Sequence, residues 1–219
     1  MNGDWVSGPG TLSKEELGAA RRDFAADCYA NPLASDEYWR SRVPDWSKVK
    51  TPLLSSANWG GQGLHPRGNF EGFVRAASKE KWLEVHGIEH WTEFYTDYGV
   101  KIQKRFFGHF LKGEDTGWSK QSRVALLVRH PGEKFVARQE DEWPLKRTQW
   151  TKFYLQPEHV LTTEAQRKAG SVTYGGFSDG VTFLTPPLAN DTEITGPIAA
   201  RLWVSSATED ADLFLVVRV

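Results

Sequence analysis

Cysteine and methionine are almost missing from this chain, one of each in 219 residues. With Cys28 alone, no intrachain disulfide can form, and no Cys/His spacing resembles a zinc site. Cys28 reads as a small apolar helix residue. There is also no surplus of charge. A net charge of -1 and a pI near 6.6 leave no electrostatic footprint for nucleic acid or an anionic membrane. No run of eighteen apolar residues occurs, and Met1-Asn-Gly-Asp-Trp5 has neither a basic nor an apolar leader segment. A cytoplasmic protein without metal or cofactor is the expectation. No repeat or low-complexity stretch interrupts the sequence. What is abundant is tryptophan, ten residues, enough for a large aromatic core or cleft.

The first half carries helical and buried-strand signals. Ser13 and Glu16 have capping-box spacing ahead of Leu17, Ala20, Phe24 and Cys28, which predicts one helix ended by Asn31-Pro32. Tyr38 and Trp39 suit a short helical turn before Pro44. Leu53 to Ala57 reads as a strand buried on both faces, Arg67 to Ala77 as an amphipathic helix, and Lys81 to His86 as a second strand. Strand, helix, strand is a βαβ unit with parallel pairing. From Trp91 to Leu111 the four-residue spacing of Phe94, Tyr98, Ile102, Phe106 and Phe110 predicts one long helix, closed by Lys112-Gly113.

Beyond residues 113 to 120 the character changes. Arg123–Arg129, Gln149–Leu155, Ser171–Tyr174, Val181–Leu184, Ala199–Ser205 and Asp212–Val219 are β-rich runs between turn residues, predicting an antiparallel sandwich. The last run reaches the C-terminus without a turn, so the chain reads as cut at both ends.

The chemistry-bearing residues follow these elements. His90 comes just after the second strand, where a single histidine reads by itself as a structural or surface residue or as a proton carrier. His65 and Arg67 lie in the loop Gly60-Gly-Gln-Gly-Leu-His-Pro-Arg-Gly68, which leads into a helix N-terminus and suits an anion or a substrate carboxylate, or simply shapes the turn. That loop matches no phosphate-binding motif. His86 reads as a packed strand-end residue. Gly176-Phe-Ser178-Asp-Gly180 matches the string of a nucleophile elbow, yet strand and turn signals follow it and no histidine comes later, so it reads as a turn. Glu140-Asp-Glu142 reads as a solvated loop, and the Glu209, Asp210, Asp212 cluster lacks the ligand count of a calcium loop.

Taken together, Asp45 to Leu54, the segment Ser55 to Phe73 and the run Trp82 to His90 resemble the cocaine esterase and X-Pro dipeptidyl-peptidase family of serine hydrolases. The resemblance implies the end of a helical cap over 1–44, the C-terminal part of an α/β-hydrolase domain over 45–115, and a truncated jelly-roll sandwich over 120–219. It implies His90 as the catalytic base, with Trp59, His65 and Arg67 beside the substrate. The family's acid corresponds to Gly61 in Asn58-Trp59-Gly60-Gly61, leaving Glu71, Glu84 or Glu89 as substitutes. The nucleophile elbow is missing from this sequence, so the chain is expected to be inactive alone. In the intact enzyme the substrate would be a small ester or peptide. A complementing N-terminal half or a homo-oligomer are the expected protein partners. A non-catalytic binding module built on the sandwich is the alternative.

Overall fold

The computed structural model describes residues 11–60, 65–87, 89–165 and 169–218, and it falls into two units, Met1–Trp46 and Ser47–Val219.

In the first unit the capping box forms as expected. Ser13 Oγ accepts from the Glu16 amide at 3.2 Å and Glu16 Oε2 accepts from the Ser13 amide at 2.8 Å. The single helix predicted from this start is instead two, α1 (Lys14–Ala20) and α2 (Phe24–Ala30). Asp23 supplies a fresh N-cap, its Oδ1 accepting from the Ala26 amide at 3.0 Å, and that local bond outcompetes continuation of the helix. The turn at Tyr38 and Trp39 is α3 (Glu37–Arg40). Its Tyr38 hydroxyl donates to Asp27, and the Trp39 indole N–H donates to the Asn31 carbonyl at 2.7 Å.

The second unit is built on a mixed four-stranded sheet. β1 (Leu53–Asn58) and β2 (Lys81–His86) pair in parallel, from Leu53 against Lys81 to Asn58 against His86. Helix α4 (Pro66–Arg75) makes the crossover, so the predicted βαβ unit is present. The α4 end is held by Lys81, whose ammonium donates to the Ala76 carbonyl at 2.7 Å and the Val74 carbonyl at 3.1 Å.

β3 (Val124–His130) lies parallel to β2, and β4 (Lys134–Glu140) returns antiparallel to β3. The run expected to open a separate sandwich therefore extends the first sheet. β4 was not legible, because its alternation of charged and apolar residues (Lys-Phe-Val-Ala-Arg-Gln-Glu) also suits a polar loop. Glu140, expected in a solvated loop, ends β4 and pairs with Arg138 at 2.8 Å and with Arg147.

The helical run after β2 also divides. α5 (His90–Phe94) ends at Tyr95, and α6 (Asp97–Lys112) begins afresh with Thr96 as N-cap, whose Oγ1 accepts from the Gly99 amide at 3.1 Å. Gly113 closes α6 in the left-handed conformation at φ 68°.

The remaining β-rich runs make little sheet. β5 (Tyr154–Leu155) and β6 (Leu161–Thr162) form a short pair, and a single bridge joins Val160 to Leu184. Among the described residues, 171–174, 199–205 and 212–218 have no ladder partner, so their apolar side chains, such as Trp203 and Phe214, stay exposed. A β-rich sequence acquires strand geometry only beside another strand that takes up its backbone donors and acceptors.

The two faces of β2 meet two different layers. Leu83 and Val85 join Ala57, Phe73, Val124, Leu126, Trp143 and Leu145 in one apolar cluster. Trp82, on the other face, packs with Phe106 of α6 and Trp118.

Candidate functional site at the carboxyl ends of the parallel strands

β1 and β2 end side by side, the Trp59 amide donating to the His86 carbonyl at 3.0 Å. Loops that leave the carboxyl ends of adjacent parallel strands converge above the sheet, which is where α/β proteins place their ligands. The β1 loop delivers Trp59 and, at the N-cap of α4, His65. His65 and Arg67, in the first turn of α4, are both solvent-exposed. The β2 turn delivers His90 as the first residue of α5, with Glu89 as its N-cap. Gly61, the position matching the family's acid, lies outside the described residues.

Trp59 is half-buried and anchored. Its indole N–H donates to the Leu127 carbonyl of β3 at 2.7 Å, and its ring lies tilted against Phe70, centroids 5.8 Å apart. The turn after His86 is shaped by Gly87. A Cβ there would stand 2.6 Å from the Phe135 ring of β4, so only glycine lets that ring close over the strand end.

The three candidate substitute carboxylates have different fates. Glu71 is on the surface of α4 in an i,i+4 pair with Arg75 at 3.8 Å. Glu89 accepts from the Thr92 hydroxyl at 3.2 Å. Glu84 is only 3 % exposed, inside β2. Its Oε2 accepts from the Ser56 hydroxyl of β1 at 2.5 Å and faces His86 Nδ1 at 2.9 Å. Burial, followed by the charge of Glu84, pushes the Tyr98 phenol of α6 well above its usual range. His86 is 4 % exposed, as expected for a packed strand-end residue. Its Nε2 is buried without a hydrogen-bond partner among the described residues. This network was the part sequence reading missed as a unit. The signal was present in Trp82-x-Glu84-x-His86, three residues on one strand face, two of them costly to bury unless paired.

Ser178 sits in a turn. Its hydroxyl donates to the Gly175 carbonyl at 2.6 Å and accepts from the Gly180 amide at 3.3 Å, with Gly180 at φ 74°. No helix follows, so the geometry is that of a turn and not of a nucleophile elbow. Among the described residues no group of three His, Cys, Asp or Glu could hold a metal ion, and no helix is long and apolar enough to cross a membrane.

Residues 116–218 match the X-Pro dipeptidyl-peptidase C-terminal non-catalytic domain. Two crystal structures of a CocE/NonD family hydrolase from Staphylococcus aureus are similar at 39% identity over 65% of this chain, with TM-scores of 0.61 and 0.62. The chain corresponds to the C-terminal portion of the CocE/NonD and X-Pro dipeptidyl-peptidase family. It spans 26% of the length of those two structures. No curated protein matches it. Within this family portion, the matched region begins just before β3 and so includes two of the four strands of the central sheet.

Proposed function

We propose that the chain is the C-terminal part of a cytoplasmic serine hydrolase that cleaves small esters or amides, of the acyl-esterase or X-Pro dipeptidyl-peptidase type, and that it is inactive alone. The observation that carries this reading is His90 at the start of α5, directly after β2, in a chain 39% identical to a CocE/NonD family hydrolase over the aligned part. In the intact enzyme a serine from outside this sequence attacks the carbonyl, His90 takes its proton and returns it to the leaving group, and water releases the acyl group. Trp59, His65 and Arg67 line the substrate side, and residues 45–115 and 120–219 are the hydrolase part and a jelly-roll part. Without an elbow serine and its oxyanion hole, this chain has no basis for rate enhancement.

A complementing N-terminal half would find its seat on β1. β1 is the outer strand of the sheet, and Leu53–Asn58 carries no charge, proline or bulge of the kind that protects an exposed edge. A strand from a complementing N-terminal half would pair there.

Fluorophosphonate labelling tests the reading. The chain alone should take no label, and Ser178→Ala should change nothing. Co-expression with the N-terminal part of a CocE/NonD hydrolase should give labelling of that part, lost in His90→Ala. Labelling of this chain at Ser178 would overturn it. The alternative, a non-catalytic binding module, draws on the match of residues 116–218 to a non-catalytic domain. It predicts no label under any co-expression.

A further inference from the structure

We propose that Glu84 is a positioning residue for the site at the strand ends. Its carboxylate holds His86 in the tautomer protonated on Nδ1, and through Ser56 it clamps β1 to the end of β2, where the turn carrying His90 departs. The value of the clamp for catalysis rests on the reading of His90 as the base.

The argument begins with donors and acceptors. Glu84 Oε2 accepts from the Ser56 hydroxyl, and accepting at the same oxygen from His86 Nδ1 at 2.9 Å puts the ring proton on Nδ1. The alternative tautomer would set the Nδ1 lone pair against the carboxylate and place an N–H on Nε2, which has no acceptor among the described residues. Nε2 is unpaired in either tautomer, so the difference lies at Nδ1, where a buried lone pair facing the carboxylate costs about 1–3 kcal/mol. Ser56 supplies a second donor to the same oxygen, so the carboxylate is paired although it is taken out of water. The two donors come from β1 and β2, so Glu84 ties side chains of both strands together near the carboxyl end of the sheet. Neither Glu71 nor Glu89 reaches more than its own helix.

The test uses the purified chain, so it does not depend on activity. Long-range proton–nitrogen NMR on a histidine-labelled sample reads the tautomer, with His86→Gln assigning the signal. The expected result is one histidine with protonated Nδ1 and bare Nε2, unchanged in His90→Ala. In Glu84→Gln, whose amide can donate as well as accept, the other tautomer should become populated while circular dichroism keeps the fold. In Glu84→Ala, amide exchange at Trp59, whose N–H donates to the His86 carbonyl, should quicken about tenfold or more, with Leu53 at the far end of β1 unaffected. A protonated Nε2 in the unaltered chain, a tautomer that Glu84→Gln leaves as it was, or equal exchange at Trp59 would overturn the proposal. If labelling instead shows His90 to be dispensable, the functional reading falls while these NMR results stand.

Discussion

Ser56 donates to the buried carboxylate, and its hydroxyl can be removed with little change of volume. Ser56→Ala should cost about 1.5 kcal/mol in chemical denaturation, the usual scale for a hydrogen bond to a charged group. It should also leave the apolar packing of Phe106 and Trp82 as it is. A loss below a few tenths would mean that water replaces the bond at no cost. How far such residues were legible depends on what their partners are. Ser13 and Glu16 announced their contact because both partners lie within one turn of sequence. Glu84 appeared only as one of three candidate carboxylates, since its partner Ser56 is 28 residues away on a different strand. The match of Gly61 to an acid position and the placement of His90 came from family resemblance, not from the residues alone.

At the scale of elements, the junction between α5 and α6 is a close backbone approach. A Cβ on Gly99 would stand 2.0 Å from the Glu93 carbonyl oxygen and 2.8 Å from that of Phe94, both backbone atoms that cannot swing aside. Gly99→Ala should therefore destabilise by about 3 kcal/mol, in the upper range for overpacking, as read from the denaturation midpoint. Thr96→Ala, which removes the cap from the same junction, should cost about 1 kcal/mol. This junction explains why one predicted helix became two. The apolar spacing from Phe94 to Phe110 is continuous and carries no sign of a break. The break comes from Thr96 offering its own hydroxyl to the Gly99 amide and from a glycine that permits close approach, neither of which alters apolar periodicity. β1, α4 and β2 were legible for the opposite reason. Their burial is set by neighbours within the same βαβ unit, so pattern and environment agree.

For the molecule as a whole, the sheet and the long C-terminal stretch are joined by charge. Arg138 of β4 grips Glu193 with two bonds of 2.7 and 2.8 Å. Those bonds hold the Glu193 carboxyl down to about 2. Because the folded value is depressed, the link contributes fully above about 4.5 and is lost as pH falls toward about 2. Shifts of the Arg138 guanidinium and Thr195 amide signals should move together in that window, and Glu193→Gln should abolish the transition. The change of character near residue 115 was legible, but the continuity of one sheet across it was not, because parallel pairing of β2 with β3 depends on contacts about forty residues apart. Residues 120–219 expressed alone should accordingly show no stable sheet by amide exchange, since the β3–β4 hairpin would lack β2. The Phe135 ring closing over Gly87 and the Leu127 carbonyl holding Trp59 carry that continuity to the strand ends. Both residues belong to the stretch matched as non-catalytic. Mechanically, that stretch is a backstop: a pull or a loosening in the C-terminal half is transmitted to the anchors of both loops, so substitutions far along the chain are felt at the strand ends.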